Sequence, residues 1–447
     1  MMLKIMDSVN SKAEFKQQPL GVGTYYLWTV GCQMNKSDSE RLGVALNQLG
    51  LDEVHSPHTA DLVILNSCVV RQGAEDKVVG ALHMVRQIKE KFPSQVLVLM
   101  GCMVGPQHVE LKRRFPFIDL FLRPQEYAPL LNLVGERLGI DWEGCIGPLI
   151  SSKPTITSYI PIIHGCDLFC SFCIIPYRRG RQQSRPIASL REEVEMLVQR
   201  GVREVTLLGQ TVDAYGADLE EPVDLADLFY SINEVSGLER IRFLTSHPSF
   251  MSDRIIEAIA DLPKVCENIN LPIQAGDDTV LKRMRRTYTS AEYLRLIEKI
   301  RKMIPNVSLA TDVIVGFCGE TEEEFQNTYD LLELVQFDKV HVAAYSTRPG
   351  TIAARKLEDT VTAPIKSERL HRIEVLQEKV SRQINSNLLD QTVEVLVEGK
   401  SKGKWKGRSR TDKLVFFENE DQNYHGDLVN IQIVKTGPWS LQGVQNV

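Results

Sequence analysis

Three apolar runs near the start of the chain share a length, a spacing and an ending. Tyr25-Tyr-Leu-Trp-Thr-Val-Gly-Cys32, Asp61-Leu-Val-Ile-Leu-Asn-Ser-Cys68 and Gln95-Val-Leu-Val-Leu-Met-Gly-Cys102 each read as a strand that stops at a cysteine. The cysteines are 36 and then 34 residues apart, and the intervening segments, residues 37–49 and 71–91, are compatible with helices. This alternation predicts successive β-α units of a parallel sheet over about residues 22–139. From residue 158 six further strand-like runs alternate with helical ones: residues 160–165, 204–209, 241–246, 268–273, 308–316 and 339–345. That rhythm predicts a βα barrel, and six units rather than eight predict an open, partial one over residues 152–385. Ser189-Leu-Arg-Glu192 and Thr321-Glu-Glu-Glu324 fit capping boxes that would start two of its helices.

Between the two α/β units, residues 140–157 contain Gly147-Pro148 and the polar run Ser151-Ser-Lys-Pro-Thr155, which predicts a linker. A helical run after Pro364 should extend to about Leu389. Short β-prone runs at residues 393–397, 414–417 and 428–434 then predict a small antiparallel barrel over residues 388–447. The fold class is therefore α/β with a terminal β-barrel.

The cysteine pattern changes this outline into a chemical one. All strands of a parallel sheet point the same way, so Cys32, Cys68 and Cys102 are expected to meet at the carboxyl edge, where open α/β sheets place their sites. A second set follows the first barrel strand, in His164-Gly-Cys-Asp-Leu-Phe-Cys-Ser-Phe-Cys-Ile174, with Cys166, Cys170 and Cys173 spaced C-x-x-x-C-x-x-C. A structural zinc or an ordinary four-iron cluster takes four protein ligands, whereas three thiolates on one loop hold three irons and leave the fourth open. An open iron can chelate S-adenosylmethionine and pass it an electron. At this loop the sequence resembles the radical S-adenosylmethionine enzymes. The plainer alternative is a zinc site completed by His164 or a distant residue. Cys145, Cys266 and Cys318 lack such an arrangement and read as packing residues. Polar residues also collect at the predicted barrel strand ends, Gln210, His247 and Gln274, with Asp312 inside a later strand.

Composition bounds the remainder. With 447 residues, 43% hydrophobic and 25% charged, the chain has ordinary globular proportions. No signal-peptide core or membrane-length apolar stretch is legible, and nine cysteines without one point to a reducing compartment, the cytoplasm. The net charge of -6 argues against a uniformly basic surface, but three local basic runs stand out, residues 176–186, 282–286 and 400–413. In the last, Lys404, Lys406, Arg408 and Arg410 alternate around Trp405, which suits phosphate contacts beside a base-stacking platform.

Taken together, the two triads, their order and the basic barrel resemble the methylthiotransferase family over residues 22–447. Gly31-Cys-Gln-Met-Asn35, Asn66-Ser-Cys-Val-Val-Arg71, Gly101-Cys-Met103, Leu271-Pro-Ile-Gln-Ala-Gly276, Thr311-Asp-Val-Ile-Val-Gly-Phe317 and Tyr345-Ser-Thr-Arg-Pro-Gly350 carry the likeness. Gly407-Arg-Ser-Arg-Thr-Asp-Lys-Leu-Val-Phe416 is similar to the terminal barrel known as the TRAM domain. The first motif is closest to the tRNA-modifying branch. Thr211 and Asp213 stand where that family commonly has asparagines, Gln182 where it has glutamate and Cys318 where it has proline.

The resemblance implies two four-iron clusters, one on each triad, and two S-adenosylmethionines per turnover. One cluster would cleave the first to a deoxyadenosyl radical; the other would carry a sulfur that is methylated by the second and delivered to carbon 2 of an isopentenylated adenosine beside the anticodon. Such a radical is needed because that carbon bears an unactivated hydrogen. The resemblance further implies cofactor contacts from Gln210, Gln274, Gly276 and Asp312, and as partners tRNA, an electron donor such as flavodoxin or ferredoxin, and a sulfur donor, with no membrane. Two rivals are a branch that modifies a ribosomal-protein aspartate and a non-enzymatic RNA-binding protein with zinc at its triads.

Overall fold

The structure is a computed structural model that describes residues 23–69, 72–150, 155–419 and 422–445. The first twenty-two residues, Arg71 of the second motif and most of the polar linker run lie outside them.

Five strands open the chain: β1 (Thr24–Thr29), β2 (Asp52–Glu53), β3 (Leu62–Ser67), β4 (Val96–Gly101) and β5 (Leu120–Leu122). They form one parallel sheet in the order β2-β1-β3-β4-β5. Every residue of β3 and β4 is buried, because helices cover both faces of the sheet. The helix Gln33–Gln48 begins directly at Cys32, four residues earlier than the apolar pattern indicated, since Met34 is buried and extends the apolar face.

The central unit contributes β6 (Thr157–Pro161), a short antiparallel pair β7 (Ile163–His164) and β8 (Gln183–Ser184), then β9 (Glu204–Leu208), β10 (Arg240–Phe243), β11 (Asn268–Asn270), β12 (Ser308–Val315) and β13 (Lys339–Ala344). Six of these strands pair in parallel as two triplets, β6-β9-β10 and β11-β12-β13. A parallel bridge between Ile241 and Val265 joins the triplets. The result is the open six-stranded barrel expected from the pattern. The first strand stops at Pro161 instead of continuing to Gly165: β7 turns away to pair with β8, which lifts the cysteine loop off the sheet. Thr321 does cap the helix Glu322–Val335, accepting from Glu324 N, in a complete capping box. The Ser189 box is corrected: that helix already starts at Ile187, after Pro186, so Ser189 lies inside it. Pro186, with an extended ψ, stands at the N-cap and fixes the helix start three residues early.

A helix over Ala363–Ser386 leads to β14 (Thr392–Ser401), β15 (Lys404–Ser409), β16 (Leu414–Phe417), β17 (Leu428–Thr436) and β18 (Leu441–Gln445). These close into a barrel in the order β14-β15-β16-β18-β17, antiparallel except for the β16–β18 pair. β15 lies within the basic run, outside the β-prone runs at residues 393–397, 414–417 and 428–434. Its alternating basic residues are the period of a strand: Trp405, Gly407 and Ser409 are buried between the half-exposed Lys404, Lys406 and Arg408.

The terminal barrel sits at the amino-terminal ends of the central strands. Arg240, first in β10, donates to the Arg408 and Glu394 carbonyls, and Arg242 donates to those of Ser409 and Arg410. Arg410 grips Glu267 just before β11, and Lys413 pairs with Asp338 just before β13. Both cysteine triads lie at the opposite, carboxyl ends of their strands. Among the described residues no helix is long and apolar enough to cross a membrane.

Candidate functional site

Cys32, Cys68 and Cys102 follow the three adjacent strands β1, β3 and β4, so sheet order alone brings them to one edge. Two glycines make the approach close. A Cβ on Gly31, whose φ is +130°, would lie 2.7 Å from Cys68 Cβ, and one on Gly101, whose φ is +96°, would strike the Ser67 carbonyl at 2.5 Å. Asn35 ties the strand ends together. Its Nδ2 donates to Val30 O at 3.1 Å and Ser67 O at 2.9 Å, while its Oδ1 lies 3.7 Å from Cys32 Sγ and 3.9 Å from Cys102 Sγ.

The second triad hangs on a folded loop. Gly165, with φ +67°, has no room for a side chain because the Arg181 carbonyl would be 2.1 Å from its Cβ. Cys166 N donates to Gly180 O and Cys173 N to Cys170 O, while Ser171 N and Oγ bind the carbonyls of Met284 and Arg283. Arg286 Nη1 lies 3.5 Å from Cys170 Sγ, and its Nη2 donates to Pro272 O at 3.0 Å. Thr211 Oγ1 lies 3.7 Å from Cys166 Sγ. One of the positions that depart from the family pattern therefore touches a candidate cluster ligand.

The two triads abut the same apolar cluster, in which buried Cys102, Met103 and Val104 pack with Ile174 and Ile175, and half-buried Cys166 and Cys173 lean on it. Burial pushes the Cys102 thiol up to about 11 despite the nearby Arg179, and burial with the neighbouring Cys170 pushes Cys173 up to about 12. Buried thiols of this kind become thiolates when a cation takes the proton's place, which is the chemistry of a metal-loaded site. Among the described residues no three His, Cys, Asp or Glu converge on a single ion position. Three thiolates are one short of the four ligands a closed structural zinc takes, whereas they can hold three irons of a four-iron cluster.

The other candidates divide. Gln274, in the left-handed region at φ +71°, donates from its backbone to Asp312 O at 2.9 Å, so these two stand side by side. Asp312 is half-buried between buried Thr311 and Val313, which places it on the concave face of β12. Its Oδ2 accepts from Asn270 Nδ2 at 3.3 Å. Gln210 is half-buried just past β9, at the same ends of the strands. Gly276 does not join them: its N–H binds Thr328 Oγ1, and a Cβ there would meet Thr328 Cα at 2.7 Å. It packs closely against the helical layer on that side. Cys266 and Cys318 are buried as expected, but Cys145 is exposed.

His247 and Asp213 form a buried polar pocket beside Arg286. Asp213 Oδ2 accepts from His247 N at 2.7 Å, but Oδ1 has no partner. Burial pushes its carboxyl up to about 8, against the opposing pull of the His247 amide and Arg286. The carboxyl thus holds its proton in the folded protein at pH values where the unfolded chain has released it, so its contribution to stability is present in acid and is lost as pH rises towards about 8. Asp213→Asn should remove that slope. The expected result is a variant more stable than the parent by about 1 to 3 kcal/mol at pH 8 but not at pH 4, measured by denaturant unfolding in the absence of oxygen.

The basic runs are largely absorbed into structure. Arg179 is buried, Arg181 pairs with Asp167, Arg185 with Glu193 and Arg283 with Glu324. Trp405 is corrected as a stacking platform: it is 5% exposed in the barrel core, its Nε1 donates to Asn419 O, Tyr424 meets it edge-on and Lys400 Nζ covers it at 4.4 Å. Arg410 is committed to Glu267, Lys404 to Glu418 and Arg408 to Asp412. Sequence reading missed Asn35, Asp38, Arg179 and Arg286 as site residues. The signal was there for the arginines, since both lie in basic runs within a few residues of a cluster loop or its contacts.

An open βα barrel with a three-cysteine loop at its carboxyl edge defines a radical S-adenosylmethionine protein. Residues 160–332 match the radical SAM superfamily, residues 24–123 the uncharacterized protein family UPF0004 and residues 389–444 the TRAM domain. The chain belongs to the family of tRNA-2-methylthio-N(6)-dimethylallyladenosine synthases. It is 49% identical to the protein of that name from Roseiflexus sp. (strain RS-1) over 94% of this chain and 89% of the relative. Its identity to that of Herpetosiphon aurantiacus is 48%, covering 94% and 96%. In fold it is similar to the radical S-adenosylmethionine methyltransferase TsrM from Kitasatospora setae, with a TM-score of 0.55 at 15% identity over 74% of both chains.

Proposed function

We infer that the protein is a radical S-adenosylmethionine methylthiotransferase that adds a methylthio group to carbon 2 of N(6)-dimethylallyladenosine beside the anticodon of tRNA. The observation that supports this most is the second triad. A radical enzyme of the general kind needs only the loop of Cys166, Cys170 and Cys173; here a second triad, Cys32, Cys68 and Cys102, is present, and its Cys102 packs in the apolar cluster on which Cys166 and Cys173 lean. When bound, two four-iron clusters would supply reductive cleavage of S-adenosylmethionine and a carried sulfur that a second S-adenosylmethionine methylates. The chain's own groups hold and orient: Gln274 and Asp312 on the concave face with Gln210 nearby as cofactor contacts, and Arg286 and Thr211 as hydrogen-bond partners of the loop thiolates. Residues 22–139, 152–385 and 388–447 serve as sulfur-carrying, radical and RNA-gripping domains. An electron donor such as flavodoxin or ferredoxin and a sulfur donor complete the system, which belongs in the cytoplasm.

The test is anaerobic incubation of the reconstituted protein with S-adenosylmethionine, reductant and tRNA carrying the isopentenylated base, followed by nucleoside analysis. A nucleoside heavier by one methylthio group in place of one hydrogen is expected. An unchanged nucleoside, with methylthiolation of a ribosomal protein instead, would overturn the substrate assignment.

The terminal barrel sharpens the RNA expectation. Among the described residues, Lys400, Lys402 and Lys406 of this run have no ion pair, and Lys400 lies over the Trp405 ring, so Lys402 and Lys406 are the cations best placed for phosphate. Neutralising both should lower the salt slope of tRNA binding by about 2 while leaving stability within about 0.5 kcal/mol. Trp405→Ala should instead destabilise the protein by about 3 to 5 kcal/mol, because it empties the barrel core.

A further inference from the structure

Arg179 belongs by sequence to the radical loop but by position to the other triad. It ends the short helix Ile175–Arg179 that follows Cys173, and its side chain is 1% exposed. Its Nη2 donates to Asp38 Oδ2 at 2.8 Å and to Asn35 Oδ1 at 3.0 Å. That same Oδ1 is the atom lying 3.7 Å from Cys32 Sγ and 3.9 Å from Cys102 Sγ. The other two nitrogens, Nε and Nη1, are buried without any partner. Burial works against the charged guanidinium, but the fields of Cys102, Asp38 and Cys32 outweigh it.

A guanidinium presents five N–H donors in a rigid fork and cannot shed its charge. Burying such a group with two nitrogens unbonded is unfavourable unless something accepts from them. Asp38 neutralises the charge from one side only. Cys102 and Cys32 are near enough for their charge to act on the guanidinium, so the acceptor class at hand for the remaining nitrogens is anionic sulfur, either a cysteine thiolate or an inorganic sulfide of a cluster held by the triad. Resting on the two-cluster reading above, we propose that Arg179 donates Nε–H and Nη1–H to sulfur of the amino-terminal cluster and thereby sets that cluster's reduction potential. Hydrogen bonds to cluster sulfurs and nearby charge are the levers by which a protein tunes such potentials.

The proposal makes Arg179 a positioning residue with an electrical signature. A cation beside a cluster stabilises its reduced form, and the anion Asp38 opposes it, so the two changes should act with opposite sign. The test uses the full chain with Cys166, Cys170 and Cys173 changed to Ala, so that only the amino-terminal cluster assembles. Iron is counted, and reduction is followed against applied potential by electron paramagnetic resonance. Arg179→Gln should lower the ratio of reduced to oxidised cluster about tenfold at fixed potential, a midpoint about 59 mV more negative. Asp38→Asn should move the midpoint the other way. Arg179→Lys, which keeps the charge and loses the fork, should fall between parent and Gln, and it serves if the Gln variant does not fold. Midpoints unmoved by the Arg179 changes, or moved in the same direction by the Arg179 and Asp38 changes, would reduce Arg179 to an interdomain ion pair and overturn the proposal. A parent triple variant that binds no iron would overturn the two-cluster reading itself, and the proposal with it.

Discussion

Changing Cys166, Cys170 and Cys173 together to Ala is expected to abolish reductive cleavage of S-adenosylmethionine completely and to halve the iron of the reconstituted protein, from about eight to about four per chain. The expectation follows from separation of the triads in the fold. The loop is held by its own hydrogen bonds to the carbonyls of Gly180, Met284 and Arg283, the last from the Ser171 hydroxyl, none of which is shared with the strand ends that carry the other three cysteines. Loss of the loop thiolates therefore leaves the sheet edge intact. Cleavage retained by the variant, measured as deoxyadenosine released under a strong reductant, would remove the role assigned to the loop. Loss of all iron would mean that the sheet edge holds none by itself.

The reciprocal variant, with Cys32, Cys68 and Cys102 changed to Ala, should still cleave S-adenosylmethionine while forming no methylthiolated nucleoside. These cysteines meet at the carboxyl edge of β1, β3 and β4, and the thiols of Cys32 and Cys102 end close to Asn35 and Arg179 rather than to the loop's partners Arg286 and Thr211. Their removal should lower product to background and leave deoxyadenosine release within about threefold of the parent, the margin allowed for the shared apolar cluster. Product formed by this variant would show that sulfur insertion does not require the second triad.

The interface between those two experiments was only partly legible beforehand. Strand-cysteine runs at matched spacing fix the amino-terminal site, because parallel strands that are neighbours in sequence tend to be neighbours in the sheet and share an edge. The cysteine loop is legible for a different reason: its three ligands are local, so spacing alone specifies the site. Basic runs were the opposite case. Composition reads Arg179, Arg286 and Arg410 as surface charge for RNA, but each has a partner brought to it from far along the chain. Asp38 lies 141 residues before Arg179, Cys170 116 before Arg286, and Glu267 143 before Arg410. Trp405 is buried for the same reason in miniature, since only closure of the barrel decides which face of β15 is inside.

The sequence by itself therefore determined the local chemistry and the periodic elements: two cysteine triads, two α/β rhythms, a terminal β unit and family membership. These follow from period, spacing and short motifs, which are properties of neighbouring residues. Tertiary structure alone decided which charges are solvent-facing and which are buried, that the two triads share one apolar cluster, and that a guanidinium from one loop lies at the other triad. Those facts depend on contacts between segments far apart along the chain, and a buried charge is tolerated only where such a contact supplies its counterpart.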